Sequence, residues 1–87
     1  MKTFKRWETI PENFTGWGRL ERQHINKIKY VRFYFGKPNT FHRLDGPAAI
    51  TEFGEEEFYI DDILYSKIDY WKHPSVIKET IKSIIEL

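Results

Sequence analysis

The stretch His42-Arg43-Leu44-Asp45-Gly46-Pro47-Ala48 decides how we interpret this sequence, because it combines the residues that reverse a chain. Asp45 can accept hydrogen bonds from the backbone amides that follow it. Gly46 can adopt a positive φ at no steric cost, and Pro47 fixes φ at about −65° without offering a donor. We therefore predict a turn with extended segments on both sides, and expect one of its two basic side chains to bond to a neighbouring strand.

Alternating side chains predict two strands before the turn. Residues 15–23 alternate around two glycines, which in a strand mark a bulge or a large ring lying across the backbone. Residues 28–35 read Ile-Lys-Tyr-Val-Arg-Phe-Tyr-Phe, the strongest strand pattern in the chain. Val31, Phe33 and Phe35 share one of its faces, and we expect both faces to be at least partly covered.

The first ten residues alternate basic and aromatic groups without a clear period. They fit either an edge strand or an ordered arm held down by Trp7. A turn at Pro11-Glu12-Asn13 separates them from the first strand.

A second hairpin is predicted after the turn. Residues 48–53 and 56–61 have strand character, and Gly54-Glu55 between them offers a tight reversal. Asp61-Asp62 forms a further turn, which leads into the short apolar segment Ile63-Leu64-Tyr65.

The pattern then changes to helical. Ser66 can cap a helix with Asp69 as the reciprocal partner, and this helix has a brief apolar face of Ile68, Tyr70 and Trp71. Pro74 suits the first position of a second helix. We expect that helix to lie on the sheet through its apolar face, which consists of Ile77, Ile81, Ile84 and Ile85.

The predicted fold class is α+β: an antiparallel β-meander of four to five strands, followed by a short helix and a C-terminal amphipathic helix. We expect one domain over residues 1–87, with a hairpin region at 13–65 and a helical segment at 66–87. Such a chain has a small core, and an aromatic content of 17% supplies the large side chains that can fill it.

The composition also limits the possible classes of protein. The chain has no cysteine, so neither a disulfide framework nor a thiolate zinc site can form. No apolar run approaches the roughly 20 residues that span a bilayer, and the N-terminus lacks the apolar run of a signal peptide. We expect a soluble protein of the cytoplasm.

Charge is distributed unevenly along the sequence. Residues 1–43 hold ten Lys and Arg against three Glu, a net +7, whereas residues 44–87 hold four Lys against ten Asp and Glu, a net −6. This division indicates either two opposed functional faces or basic strands that pair with acidic ones across a sheet. We favour the second interpretation.

The central stretch resembles the His-Arg-x-Asp-Gly-Pro-Ala repeat of small proteins common in bacteriophage genomes. Each unit of that family runs from an aromatic strand through this turn into a second aromatic strand. Residues 33–37 and 58–62 occupy the two aromatic positions here, 25 residues apart, and Asn13-Phe14-Thr15-Gly16 resembles the degenerate opening before a first unit. The resemblance covers residues 13–65 and implies a β-hairpin repeat region, more distantly similar to membrane occupation and recognition nexus repeats. Only one full turn motif is present, so a long repeat array is not implied.

The turn itself contains candidate chemical groups. His42, Arg43 and Asp45 bring an imidazole, a guanidinium and a carboxylate into four residues, enough for a phosphate clamp or half of a metal site. A metal ion would need further ligands at a recognised spacing, and acid–base catalysis would need a second positioned group. We interpret these residues, with Gly46 and Pro47, as structural, and expect no metal or cofactor.

A protein partner is one candidate ligand. Trp is enriched in binding hot spots, although a Trp on a short helix beside a small sheet is more often part of the core. The acidic run at 55–57 is either a solvated hairpin end or a site for a cation or a basic partner. The residues of this hypothesis are Trp71, Tyr65, Glu55, Glu56 and Glu57.

Nucleic acid is the alternative ligand. Aromatic rings on a sheet can stack bases while neighbouring cations neutralise phosphates. No ribonucleoprotein motif is present, and a pI of about 8.0 is low for a dedicated nucleic-acid module. The residues of this hypothesis are Arg19, Arg22, Lys29, Arg32, Trp17 and Tyr30.

Catalysis has little support in the sequence. It contains no cysteine nucleophile, Gly-x-Ser-x-Gly elbow, phosphate loop or His-Glu-x-x-His motif. We therefore expect a non-catalytic phage-type accessory protein that binds and modulates a macromolecule of the bacterial host, such as a defence nuclease, in the host cytoplasm. The alternative function is binding of RNA or single-stranded DNA through the basic aromatic sheet face.

Overall fold

The computed structural model describes residues 1–86 and contains one six-stranded sheet in the order β1-β2-β3-β4-β5-β6. Its strands are β1 (Lys2–Phe4), β2 (Gly16–His24), β3 (Lys27–Phe35), β4 (Ala49–Ile50), β5 (Glu56–Ile60) and β6 (Ile63–Tyr65). A 3-10 helix spans Trp7–Thr9, and two α-helices follow the sheet, α1 (Lys67–Lys72) and α2 (Pro74–Ile85). The α+β class is confirmed. The sheet has six strands where four to five were predicted. It also differs from the predicted meander because it is mixed: β1 pairs parallel to β2, and every other pair is antiparallel.

The N-terminal segment contains both of the predicted alternatives, an edge strand and an ordered arm held down by Trp7. Residues 2–4 form an edge strand in which Phe4 is opposite Leu20. The chain then turns so that the Trp7 ring packs 5.4 Å from Phe33 and 5.7 Å from Phe41, measured between ring centroids. This segment covers one face of the sheet over β2 and β3.

The β2–β3 hairpin is the longest element, with nine residues in each strand. Asn26 adopts a φ of 63° in its turn. Gly18 lies opposite Phe33, and a Cβ atom at Gly18 would be 2.5 Å from the tip of the Phe33 ring. The glycine therefore makes room for a large ring on the backbone, as its position in a strand predicts.

The register assigns the two hydrophobic clusters to opposite faces of the sheet. Phe33 pairs with Ala49, and Ala49 with Glu57, so these three side chains point to one face and Phe58 to the other. The first face carries a cluster of Ile10, Leu20, Phe33 and Phe35. The second carries Phe58 and Ile60, which pack against Tyr70 and Val76 from the helices.

The strand predicted at residues 48–53 is much shorter in the structure, where β4 ends at Ile50. The reason is the turn that begins at Thr51. Its carbonyl oxygen accepts a hydrogen bond from the Gly54 amide at 2.9 Å, and its hydroxyl accepts one from the Glu55 amide at 3.1 Å. Gly54 adopts a φ of 85°, which a residue with a side chain rarely adopts.

Both predicted helices form, and Ser66 caps the first of them through one of the two predicted reciprocal hydrogen bonds. The Ser66 hydroxyl accepts a hydrogen bond from the Asp69 amide at 3.1 Å, and Pro74 is the first residue of α2. The His73 imidazole caps α2 by accepting from the Ser75 amide at 3.1 Å. Over residues 1–86, no helix has the length and the apolar composition needed to cross a membrane.

The prediction that α2 lies on the sheet through its isoleucines is wrong. Ile77, Ile81, Ile84 and Ile85 are 45% to 76% exposed, and Val76 is the buried residue of the helix. The space beside Phe58 and Ile60 is already filled by Tyr70 of α1, so the first turn of α2 completes this small core. We call the four exposed isoleucines the aliphatic stripe.

Candidate binding surfaces

The guanidinium of Arg43 organises the central turn. Its Nε donates to Asp45 Oδ1 at 2.9 Å, its Nη1 donates to the Pro47 carbonyl oxygen at 2.9 Å, and its Cζ lies 4.9 Å from the centre of the Trp17 ring. We predicted that the Asp45 carboxylate would accept from the amides after it; in the structure it pairs with Arg43 instead. The cation is thus held inside the turn by partners of this chain.

Gly46 is needed for a different reason from the predicted one. Its φ is not positive, so the predicted left-handed backbone is wrong. The residue is buried, and a Cβ atom there would be 2.9 Å from Cζ of the Arg43 side chain. Glycine lets the guanidinium lie flat against the backbone of its own turn.

His42 connects the turn to two strands. Its carbonyl oxygen accepts from the Gly36 amide at 3.0 Å, just after β3, and its Nδ1 accepts from the Asp61 amide at 3.0 Å, just after β5. The same Nδ1 lies 3.4 Å from Oδ1 of Asp61. The His42 imidazole therefore stabilises the turn against the end of β5.

Sequence reasoning missed the importance of Tyr70, which it placed in a brief apolar face. The side chain is fully buried, and its ring centroid lies 4.7 Å from that of Phe58. Its hydroxyl donates to the Arg43 carbonyl oxygen at 2.6 Å and accepts from the Gly46 amide at 3.1 Å. Burial raises the pKa of this hydroxyl above its ordinary value. The available signal was a tyrosine at the centre of an apolar helix face, where its hydroxyl requires a partner.

The predicted pairing of the basic half with the acidic half occurs in ion pairs such as Arg22–Glu52 and Lys37–Asp61, but it does not extend to the longest hairpin, whose two strands both belong to the basic half. In the β2–β3 register Arg19 lies opposite Arg32, and Arg22 lies opposite Lys29. Cross-strand like charges are unfavourable, and neither Arg19 nor Arg32 has an ion pair among residues 1–86. Arg22 and His24 at the end of β2 face Glu52. The pairs Lys37–Asp61 and Arg43–Asp45 lie in the loops, and the first of them lowers the pKa of the Asp61 carboxyl chiefly through the lysine hydrogen bond.

The residues predicted to bind nucleic acid are divided between the two faces of the sheet. Strand alternation puts Arg22 and Lys29 on the face that carries Leu20 and Phe33, where Arg22 Nε lies 4.0 Å from Glu52 and Lys29 Nζ lies 4.7 Å from the centre of the Phe53 ring. The other face presents a continuous set, which we call the arginine–aromatic face: Trp17, Arg19, Tyr30, Arg32 and Tyr34.

Four of the five residues predicted to bind a protein partner line a single groove. Glu55, Glu56, Glu57 and Tyr65 surround an open cavity of about 670 Å³ with Phe58 and Leu64. Trp71 does not line this groove. The structure therefore separates the acidic run from the predicted tryptophan anchor.

Trp71 lies beside the aliphatic stripe. It is 43% exposed, and with Ile84 and polar residues of α2 it lines a shallow cavity of about 310 Å³. One edge of its ring packs near Phe58 at a centroid distance of 6.1 Å, so the side chain is anchored on the core and open to solvent on its outer side. Ile84 is the residue of the stripe that lines this cavity with Trp71.

No group of three or more His, Asp or Glu side chains within residues 1–86 is arranged to hold a metal ion. Comparison with known proteins adds no relative: no protein-family model matches the chain, and neither the curated proteins nor the solved structures give a significant match.

Proposed function

We propose that this is a non-catalytic binding protein that captures a partner protein through the aliphatic stripe of α2 and Trp71. The observation that carries the proposal is the exposure of four isoleucines along one side of a single helix. An amphipathic helix normally turns such a stripe to the core, whereas here the core is completed by Val76 on another side of the helix. The stripe is therefore available for an intermolecular contact.

The energetics favour a helix-in-groove mode of binding. Burying an isoleucine side chain contributes roughly 1.5–3 kcal/mol, and a set of anchors spaced along one helix face is how an amphipathic helix occupies an apolar groove of a partner. Trp71 adds a large ring whose position is already fixed by Phe58, so little conformational entropy is lost on binding. These two features make Trp71 and Ile81 the expected centre of the interface.

The resemblance of residues 13–65 to repeat proteins of bacteriophages favours a partner from the bacterial host. On this proposal the protein is a phage-type accessory protein of the host cytoplasm, and it modulates a host component such as a defence nuclease by occupying its surface. The acidic groove around Glu55, Glu56, Glu57 and Tyr65 then serves as a second contact, suited to a basic segment of the same partner.

Capture from a bacterial lysate tests this proposal when wild-type protein, Ile81→Asp and Lys82→Asp are immobilised in parallel. Lys82 is exposed and follows Ile81 on the helix but lies outside the stripe, and its replacement changes the charge more. The expected result is a host protein that wild type and Lys82→Asp retain after nuclease treatment of the lysate and that Ile81→Asp loses.

Two results would contradict the proposal. One is a retained protein that does not depend on Ile81. The other is that a second copy of the chain covers the stripe. Analytical sedimentation would then show a dimer for the wild-type protein and a monomer for Ile81→Asp.

A further inference from the structure

We propose that the arginine–aromatic face is a separate site that binds single-stranded nucleic acid. It lies on β2 and β3, whereas the surface assigned to a partner protein lies on α1 and α2. The proposal selects Trp17, Arg19, Tyr30, Arg32 and Tyr34, and it excludes Arg22 and Lys29 because they belong to the other face of the sheet.

The first observation is a concentration of positive charge without an internal partner. Arg19 and Arg32 are directly opposite each other in the register, and neither forms an ion pair with any residue of the described chain, 1–86. Opposed cations destabilise a hairpin unless an anion lies between them. A phosphate group in that position would convert the repulsion into two favourable contacts.

The second observation is that Arg19 is already held in place. Its Nε donates to the Thr3 hydroxyl at 2.7 Å, and its Cζ lies 4.2 Å from the centre of the Tyr30 ring. The guanidinium is therefore stacked on an aromatic ring, with nitrogen atoms besides Nε left to meet a ligand. Guanidinium planes and aromatic rings both stack on bases in single-strand complexes.

The third observation is the position of a second aromatic pair along the same strands. Trp17 and Tyr34 are opposite each other with ring centroids 5.1 Å apart. Tyr34 is four residues from Tyr30 on β3, which corresponds to about 13 Å along a strand. Trp17 is also contacted by Arg43, whose Cζ lies 4.9 Å from the centre of its ring, so a base at this end would stack on Tyr34. Aromatic rings at both ends of the arginine pair match an alternation of bases and phosphates.

The neighbouring acidic groups set the limits of the site. Glu21 is opposite Tyr30 at one end, and at the other end Asp45 is occupied by Arg43. Glu56 lies on the same face two strands from Arg32, across Ile50. With two cations, Arg19 and Arg32, between these acidic groups, the face can contact only a short length of nucleic acid. We therefore infer a ligand of a few nucleotides, bound without base sequence recognition, since the face offers stacking and phosphate contacts.

A pair of charge reversals on opposite faces tests the site. Arg19→Glu with Arg32→Glu removes both cations of the proposed face, and Arg22→Glu with Lys29→Glu makes the same charge change in another cross-strand pair of the same hairpin. Both variants are first checked for an unchanged circular dichroism spectrum. Affinity is then measured by fluorescence anisotropy with a labelled oligouridylate of about 12 nucleotides, a length within the range that one single-strand module covers.

The expected result is micromolar binding by wild type with a slope of about −1.4 in log affinity against log salt, since each phosphate contact to a single strand contributes about −0.7. Arg19→Glu with Arg32→Glu should weaken binding at least about tenfold at low salt. The control pair should weaken it less than about threefold, because its charges are on the far side of the sheet and are screened.

Three results would overturn the proposal. The first is no binding by wild type at about 100 μM protein, the weak limit of non-specific association. The second is an equal loss in both variants, which would show attraction by net charge alone. The third is displacement of the oligonucleotide by polyglutamate as effectively as by unlabelled oligouridylate, which would identify the ligand as an acidic protein segment.

Discussion

The Tyr70 hydroxyl donates a hydrogen bond of 2.6 Å to the carbonyl oxygen of Arg43, a residue 27 positions earlier in the chain. This contact joins the first helix to the central turn. The same hydroxyl accepts from the Gly46 amide, so a single buried oxygen satisfies two backbone groups of the turn. The helical segment and the sheet are thus linked by a polar contact inside the second hydrophobic cluster.

Replacing Tyr70 by Phe should destabilise the protein by about 1–3 kcal/mol, because the change leaves a buried carbonyl and a buried amide without their partner. Equilibrium unfolding in urea measures the difference. Tyr34→Phe is the matched control, since that hydroxyl has no hydrogen bond to other described residues and its removal should have little effect. Similar losses in the two variants would show that the hydroxyl of Tyr70 is not the link.

The same group predicts a loss of stability in alkali. Burial raises the pKa of the Tyr70 hydroxyl above its ordinary value of about 10, so the unfolded chain releases this proton at a lower pH than the folded protein does. The contribution of the neutral hydroxyl is fully present below about pH 10 and is lost as the pH rises through the folded pKa. Urea midpoints between about pH 8 and pH 11 should fall more steeply for wild type than for Tyr70→Phe. Parallel curves would contradict the assignment.

Gly46→Ala should cost about 1 kcal/mol, because the added methyl displaces the end of the Arg43 side chain from its hydrogen bonds to Asp45 and the Pro47 carbonyl. The cost should shrink when Arg43 is also replaced by Lys, since the planar group that meets the new methyl is then absent. Gly54→Ala is the control for backbone strain: its φ is 85° and nothing lies within 4 Å of the added Cβ, so its cost should not depend on Arg43. A double-mutant cycle measured by thermal unfolding separates the two cases. An unchanged cost of Gly46→Ala in the Arg43→Lys background would contradict the steric explanation.

Local patterns predicted the elements well. The alternation of Val31, Phe33 and Phe35 identified β3, Ser66 and Pro74 identified the starts of the two helices, and Gly54 identified the second hairpin turn. Each of these signals depends on residues close to one another in the chain. Such signals are strong because backbone geometry and side-chain direction act at short range.

Local errors occurred at the Gly46 backbone and at the end of β4, and the other errors concern contacts between distant residues. The parallel pairing of Lys2–Phe4 with β2, and the face to which Phe58 points, depend on register, which no single segment specifies. The amphipathic pattern of α2 indicated an apolar face correctly. It could not show that the second core is completed by Tyr70 and Val76, which leaves Ile81 at the surface.

The division of the predicted nucleic-acid residues has the same cause. Arg19 and Arg22 are three positions apart, and a period of two puts them on opposite faces of β2. Composition alone groups them because it counts cations without regard to direction. Once residues 16–24 are assigned to a strand, the alternation of side chains shows that Arg19 and Arg22 lie on opposite faces.

α2 contributes Val76 to the core and leaves Ile81 at the surface. The most direct test is to place a carboxylate at each position and measure the free energy of unfolding in urea. Val76→Asp should lose about 3 kcal/mol or more, because it buries an unpaired charge, and Ile81→Asp should lose no more than about 1 kcal/mol. A folded, monomeric Ile81→Asp protein of near wild-type stability is the predicted result. Unfolding of Ile81→Asp to the same extent as Val76→Asp would contradict the account, because it would show that the aliphatic stripe belongs to the core.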